Sequence, residues 1–251
     1  MDFVKMEGLG NDFIVVDAPF APDPAQIQRW CDRRLGVGAD GLLEIGAVAD
    51  DRIRMRYWNA DGGPAEMCGN GLRCLATLAL RRGWVGPEMI VETAMGDMPA
   101  QVLPDGRVRA LVGRPQRTSD PFELHGVVVH PVSVGNPHAV VFVEDTVDVD
   151  VAGLGAAIEN APEFTERTNV EFVAPTGLTS IRARIWERGV GETLASGTGA
   201  TASVYAAVSN GLVAAPTLVA LPGGTLQIEL DGNEAWMVGP GNVVYEGVIA
   251  G

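Results

Sequence analysis

The chain has 251 residues, 47% hydrophobic and 20% charged, enough for one to two globular domains with full cores. Its 18 basic and 32 acidic residues give a net charge of −14, a surface that repels polyphosphate, so nucleic acid and anionic membranes are not expected as partners. Three cysteines (Cys31, Cys68 and Cys74) are too few to staple the fold, no apolar run reaches the roughly 18 residues of a membrane span, and the opening Met1-Asp2-Phe3-Val4-Lys5 lacks the features of a signal peptide, so a cytoplasmic protein is expected.

In chain order, Phe13 to Val16 is an apolar run behind Gly10-Asn11. Ile53 to Trp58 alternates apolar and basic residues, which predicts a half-buried strand. A glycine-rich turn, Asn59-Ala60-Asp61-Gly62-Gly63-Pro64, follows it. Leu72 to Leu80 is rich in Leu and Ala and predicts a buried helix that starts behind Cys68-Gly69-Asn70-Gly71. Strands are predicted over Met89 to Glu92, Val108 to Val112, Val127 to Val134, Ala139 to Val143, Leu226 to Leu230 and Val243 to Ile249. A second helix, Ala200 to Val208, is small and apolar all round, as a helix wrapped by sheet would be.

A shift of 128 residues lays the chain on itself. Ile53-Arg54-Met55-Arg56-Tyr57-Trp58 falls on Ile181-Arg182-Ala183-Arg184-Ile185-Trp186, and Cys68-Gly69-Asn70-Gly71 falls on Ser196-Gly197-Thr198-Gly199. Between positions 53 and 79, eight of 27 pairs are identical without a gap, which favours a duplicated unit over coincidence. Gly135-Asn136 ahead of Ala139 to Val143 echoes Gly10-Asn11. The expected fold is α+β: two pseudo-symmetric halves, each a mostly antiparallel sheet around one main helix, with the border near Gly113 to Pro121.

A cysteine at the first turn of a helix feels the positive end of the dipole and unpaired N–H groups, which favour the thiolate over the ordinary thiol of pKa about 8.5. The flanking glycines admit a carboxylate to the same N–H groups. A cysteine that merely fills a tight turn would look the same in sequence. The second copy puts Ser196 at the matching place, so two helix N-termini are expected to hold one α-carboxylate, with residues 68 and 196 on opposite sides of its Cα. One group would remove a proton and the other return one, inverting the carbon. Cys68 and Cys74 make a poor zinc spacing, a P-loop and a full dinucleotide fingerprint are absent, and His125 and His130 read as surface or strand residues.

Taken together, Lys5-Met6-x-Gly8-Leu9-Gly10-Asn11-Asp12-Phe13, Gly36-x-Gly38-Ala39-Asp40-Gly41, Asn59-Ala60-Asp61-Gly62, Ala65-Glu66-Met67-Cys68-Gly69-Asn70-Gly71-x-Arg73-Cys74, Gly135-Asn136-Pro137-His138, Asn169-Val170-Glu171-Phe172 and Trp186-Glu187-Arg188-Gly189 through Gly197-Thr198-Gly199 resemble the diaminopimelate epimerase family over essentially the whole length. The resemblance implies a pyridoxal-independent isomerase without metal or other cofactor, a homodimer, and conversion of LL- to meso-diaminopimelate. It implies a first domain of residues 1–115 with a returning strand, 240–251, and a second of 116–239. It assigns Cys68 and the residue at 196 as acid and base, and His138 and Glu187 as supports of proton transfer. Asn11, Asn59, Asn136, Asn169, Glu187 and Arg188 would hold the substrate, and Gly69, Asn70, Gly197 and Thr198 its reacting carboxylate.

Two positions depart from the family. Glu7 stands where histidine is common, beside Asn11. Ser196 stands where the second catalytic cysteine belongs, and an alcohol needs a base beside it to act near neutral pH. An engineered change, a natural relay through His138 or Glu187, and drift to another substrate or to binding alone all fit. Thr201 and Ser203 on the following helix favour a natural lineage. The alternatives to diaminopimelate epimerisation are an amino-acid-binding protein without activity and a racemase of another polar amino acid.

Overall fold

The computed structural model describes residues 1–21, 23–65 and 67–249, so Glu66 and the last two residues of the expected segment 240–251 lie outside the described residues. The chain divides into two compact units: Met1–Ala110 together with the residues from Gly239 on, and Leu111–Val238.

The first unit runs β1 (Asp2–Gly8), β2 (Asn11–Asp17), α1 (Pro24–Cys31), β3 (Gly41–Ala49), β4 (Arg52–Asn59), β5 (Pro64–Ala65), α2 (Gly69–Arg81), β6 (Glu88–Thr93), β7 (Gly96–Val102) and into β8 (Val108–Gly113). The second runs β9 (Gln116–Arg117), β10 (Phe122–Leu124), β11 (Val127–Ser133), β12 (Pro137–Phe142), α3 (Val151–Glu159), β13 (Asn169–Gly177), β14 (Ser180–Glu187), β15 (Gly191–Thr193), α4 (Gly197–Ser209), β16 (Thr217–Leu221), β17 (Gly224–Asp231) and β18 (Glu234–Gly239). The chain then returns as β19 (Asn242–Val248), antiparallel to β1.

Within each unit neighbouring strands pair antiparallel except at two steps, β2–β3 and β4–β6 in the first, β12–β13 and β14–β16 in the second. Those steps are where a helix lies between the strands, as a parallel pair requires a crossover connection. The duplication is a structural one. β3 and β13, β4 and β14, and α2 and α4 have bounds that differ by 128 residues in every case.

Each unit carries two helices, where the sequence suggested one main helix. The additional ones, α1 and α3, begin at aspartate caps: Asp23 accepts from Ala25 N ahead of Pro24, and Asp150 accepts from Gly153 N. Leu72, Leu75 and Leu78 of α2 are at most 1% exposed and pack with Ile53, Met55 and Val91 of the strands around them. Each such leucine stabilises the unit by about 2 kcal/mol. The first turn of each main helix lies close against the sheet. A Cβ at Gly71 would come within 3.1 Å of both Leu43 methyls, and one at Gly199 within 2.9 Å of Ile185 Cδ1.

Gly241 enters β19 over the backbone of α2, where a Cβ would stand 2.7 Å from Arg73 C and O. Backbone cannot rotate aside as a side chain can, so Gly241→Ala should destabilise the protein by about 1–3 kcal/mol, read as a lower urea midpoint. An unchanged midpoint would show that the strand is not seated on the helix.

Candidate active site

The residues singled out in the sequence fall into two clusters, one per unit. In the first, Cys68 is the N-cap residue of α2. Its side chain does not cap the helix; Sγ reaches Asn11 Oδ1 at 3.4 Å instead. The helix ladder starts with Leu72 N donating to Cys68 O, so the amides of Gly69, Asn70 and Gly71 precede the first intrahelical bond.

The Asn11 amide has a defined orientation. Its Nδ2 donates to Asp40 Oδ2 at 2.9 Å, which turns Oδ1 toward Cys68 Sγ and toward Asn70 Nδ2 at 3.3 Å. Asp40 also binds Arg33, which binds Asp12, which binds Lys5. Burial alone would push the Asp12 carboxyl up, yet hydrogen bonds and charge from Arg33 and Lys5 carry it down to about 2. On the other side, Asn70 Oδ1 accepts from Nη2 of the fully buried Arg73 at 2.8 Å, and Arg73 Nε donates to Pro240 O. Asn59, at the end of β4, is exposed.

Glu7 has a different part from the one expected beside Asn11. Its carboxylate accepts from Gly10 N at 3.0 Å and from Asn242 Nδ2 at 2.5 Å, holding the β1–β2 turn to β19. That turn needs holding, because Leu9 sits at φ 57°, in the left-handed region that disfavours a side chain.

In the second unit Ser196 is the N-cap residue of α4, and here the side chain does cap: Oγ accepts from Gly199 N at 3.3 Å. Glu187, at the end of β14, stands near enough to the Ser196 hydroxyl to feel it, and its Oε1 accepts from Thr193 Oγ1 at 3.2 Å. Burial raises the Glu187 carboxyl above its ordinary value; hydroxyls of Ser196 and Thr193 and the charge of His138 pull the other way. The base that an alcohol requires therefore stands beside Ser196. The amides of Gly197 and Thr198 precede the first intrahelical bond here, Ala200 N to Ser196 O.

Asn169 is spent inside the unit: Nδ2 donates to Pro137 O at 2.9 Å and Oδ1 accepts from Arg188 N at 3.0 Å. Arg188 is exposed and donates to Glu166 O. His138 is 1% exposed, with Nδ1 2.7 Å from Glu171 Oε1 and Nε2 2.9 Å from Asn136 Oδ1. Sequence reasoning did not single out Asp40, Arg73 or Glu171, though each lies in a quoted motif. The 128-residue shift was a signal for Glu171, since it sets this acid on Leu43.

The family described as diaminopimelate epimerase matches residues 3–118 and 131–246. The diaminopimelate epimerase of Thermosynechococcus vestitus is 39% identical over 283 residues, covering 99% of both chains, and that of Desulforudis audaxviator is 42% identical over 273 residues, covering 98% of both. Among solved structures, a phenazine biosynthesis protein of the PhzF family from Bacillus anthracis superposes with a TM-score of 0.75 at 17% identity, covering 100% of this chain and 99% of that one. A probable proline racemase from Agrobacterium radiobacter superposes at 0.70 and 16% identity, covering 99% and 92%. These last two share the fold.

Burial pushes the Cys31 thiol up to about 11 and the Cys74 thiol up to about 12, whereas Cys68 is only half-buried. Iodoacetamide should therefore label Cys68 in the native protein and reach Cys31 and Cys74 only after denaturation, as peptide mass mapping would show. Equal labelling of all three would contradict the burial described.

Proposed function

The chain belongs to the diaminopimelate epimerase family, and on that premise we propose that it interconverts LL- and meso-diaminopimelate by moving a proton at one Cα, without pyridoxal phosphate. The observation that supports this most is a repeated one. Each unit sets a side chain able to exchange a proton at the N-cap of a glycine-started helix: Cys68 on α2, Ser196 on α4.

One group takes the Cα proton, and the electron pair left behind moves into the substrate carboxylate. Amides at the helix starts, from Gly69, Asn70, Gly197 and Thr198, stabilise that charge. The other group returns a proton to the opposite face. On the Cys68 side the thiol and thiolate are the two states. On the Ser196 side the hydroxyl passes its proton to Glu187 as its oxygen takes the one from carbon, and the reverse step restores both. His138 supports this side through Asn136, whose amide oxygen lies 2.9 Å from its Nε2. Asn11, Asn59, Asn136 and Arg188 contact the substrate, with Asn169 holding the Arg188 backbone. A homodimer and a cytoplasmic location belong to the same proposal; no helix among the described residues is long and apolar enough to cross a membrane. Near-full-length likeness to diaminopimelate epimerases weighs against a binding protein or a racemase of another amino acid.

The test is incubation with LL-diaminopimelate in deuterated water. Meso product with one deuterium at the inverted Cα is expected. Exchange with retained configuration would leave one working base and overturn the Ser196 relay, and binding without exchange would favour the inactive protein. Ser196→Ala should lower kcat by roughly 10²–10⁴, and Ser196→Cys should raise it.

Glu187 serves as base only when ionised, and burial raises it from 4.5. The rate should fall as pH drops through a midpoint above that value, and Glu187→Gln should abolish this limb of the pH profile. A limb unchanged in Glu187→Gln assigns it to another group.

A further inference from the structure

The duplication allows each residue of the second cluster to be compared with its counterpart in the first. In the first unit Phe13 on β2 pairs with Gly41 on β3, and Leu43 faces Gly71 of α2; both side chains are 0% exposed. In the second unit His138 on β12 pairs with Asn169 on β13, and Glu171 faces Gly199 of α4, where a Cβ would come 3.0 Å from Oε1. The same two core places thus hold Phe and Leu in one copy and His and Glu in the other. The fold is built without them once already, so the polar pair has no packing reason to exist, and a buried carboxyl costs stability wherever an aliphatic side chain fits.

The pair is also incompletely satisfied. Glu171 is fully buried, Oε1 meets His138 Nδ1 at 2.7 Å, and Oε2 has no hydrogen-bond partner among the described residues. Burial raises this carboxyl, the contact with His138 opposes the rise, and the nearby Glu187 adds to it. Asn136 Oδ1, 2.9 Å from Nε2, can only accept, so the hydrogen facing it is on Nε2; in a neutral ring Nδ1 is then the acceptor, and Glu171 Oε1, 2.7 Å from it, is the donor. An Asn136 amide held by its oxygen has its NH₂ facing away from the ring. Its counterpart Asn11 is held the opposite way, by its NH₂, on Asp40.

We propose that Glu171 and His138 are a positioning pair: Glu171 fixes the ring tautomer of His138, His138 fixes the Asn136 amide by its oxygen, and the Asn136 NH₂ is thereby presented to a carboxylate of the substrate. The substrate half of this statement rests on the function proposed above; the tautomer and the amide orientation do not.

Three variants of the full chain decide it. Glu171→Gln keeps a donor to Nδ1 and should stay within about threefold of the parent in kcat/KM. Glu171→Leu, the Leu43 counterpart, removes the donor and should lose roughly tenfold or more, mainly in KM, at an unchanged or raised Tm. The double variant His138→Phe with Glu171→Leu copies the first unit; it should fold and show the same loss. Nitrogen-15 spectra of the substrate-free protein should show a ring hydrogen on Nε2 of His138, retained in Glu171→Gln and lost from a single tautomer in Glu171→Leu. A hydrogen on Nδ1, equal impairment of Gln and Leu variants, parental kinetics in Glu171→Leu, or failure of the double variant to fold would each overturn the proposal. If the parent proves unable to epimerise, the spectra still test the pair, so the two readings fail separately.

Discussion

The structure depends on a close approach. In each unit the main helix lays its first turn on the sheet with no Cβ between, at Gly71 against Leu43 and at Gly199 against Ile185 and Glu171. A methyl group there would lift the helix start, and with it the amides and the N-cap side chain. The glycines of the two tetrapeptides therefore serve packing and chemistry together: the feature that seats the helix also leaves its first amides accessible.

Upon this common frame the two halves handle their cap residues differently. Ser196 caps its helix, accepting from Gly199 N, with the Glu187 carboxyl beside it. Cys68 does not cap α2; it faces an amide oxygen whose direction is dictated by Asp40. The charged groups behind Asn11 are mutually compensated, which is why Asp12 can sit near 2 although partly buried. Behind Asn136 a buried polar atom is left over, since Glu171 Oε2 has no hydrogen-bond partner among the described residues. At this point of the second sheet a buried imidazole and carboxyl stand where the first sheet has Phe and Leu, a departure from core composition of the kind usual where a fold carries a function.

The architecture was legible because the duplication preserved Ile-Arg-x-Arg-x-Trp and the glycine pairs in register, and because Leu72 to Leu80 has too much Leu and Ala to be anything but a buried helix. The caps of α1 and α3 were present in Asp23-Pro24 and Asp150, and Ile27, Trp30 and Cys31, like Val151, Leu154 and Ile158, are spaced for one helix face, but runs of eight and nine residues are too short to stand out beside the two long helices. The candidate site was legible from motifs, which give residues without their directions. That Asn169 turns inward, that Glu7 holds a turn, or that both ring nitrogens of His138 are engaged depends on partners distant in sequence. Glu171 escaped notice because β13 is covered on both faces, so no alternation marks which of its residues is out of place.

The return of the chain to its first unit has a consequence for how the molecule is made. The second unit is one continuous stretch, Leu111–Val238, and domains generally fold as units as they are made. The first stays open on one flank until Pro240 offers its carbonyl to Arg73, 167 residues earlier, and β19 covers β1. Until then Arg73 has lost a main acceptor, and the guanidinium that braces Asn70 lacks its seat. A nascent chain halted before this strand would carry every candidate acid and base and still have an unbraced cysteine helix, so assembly of that helix waits on a strand far along the chain from it.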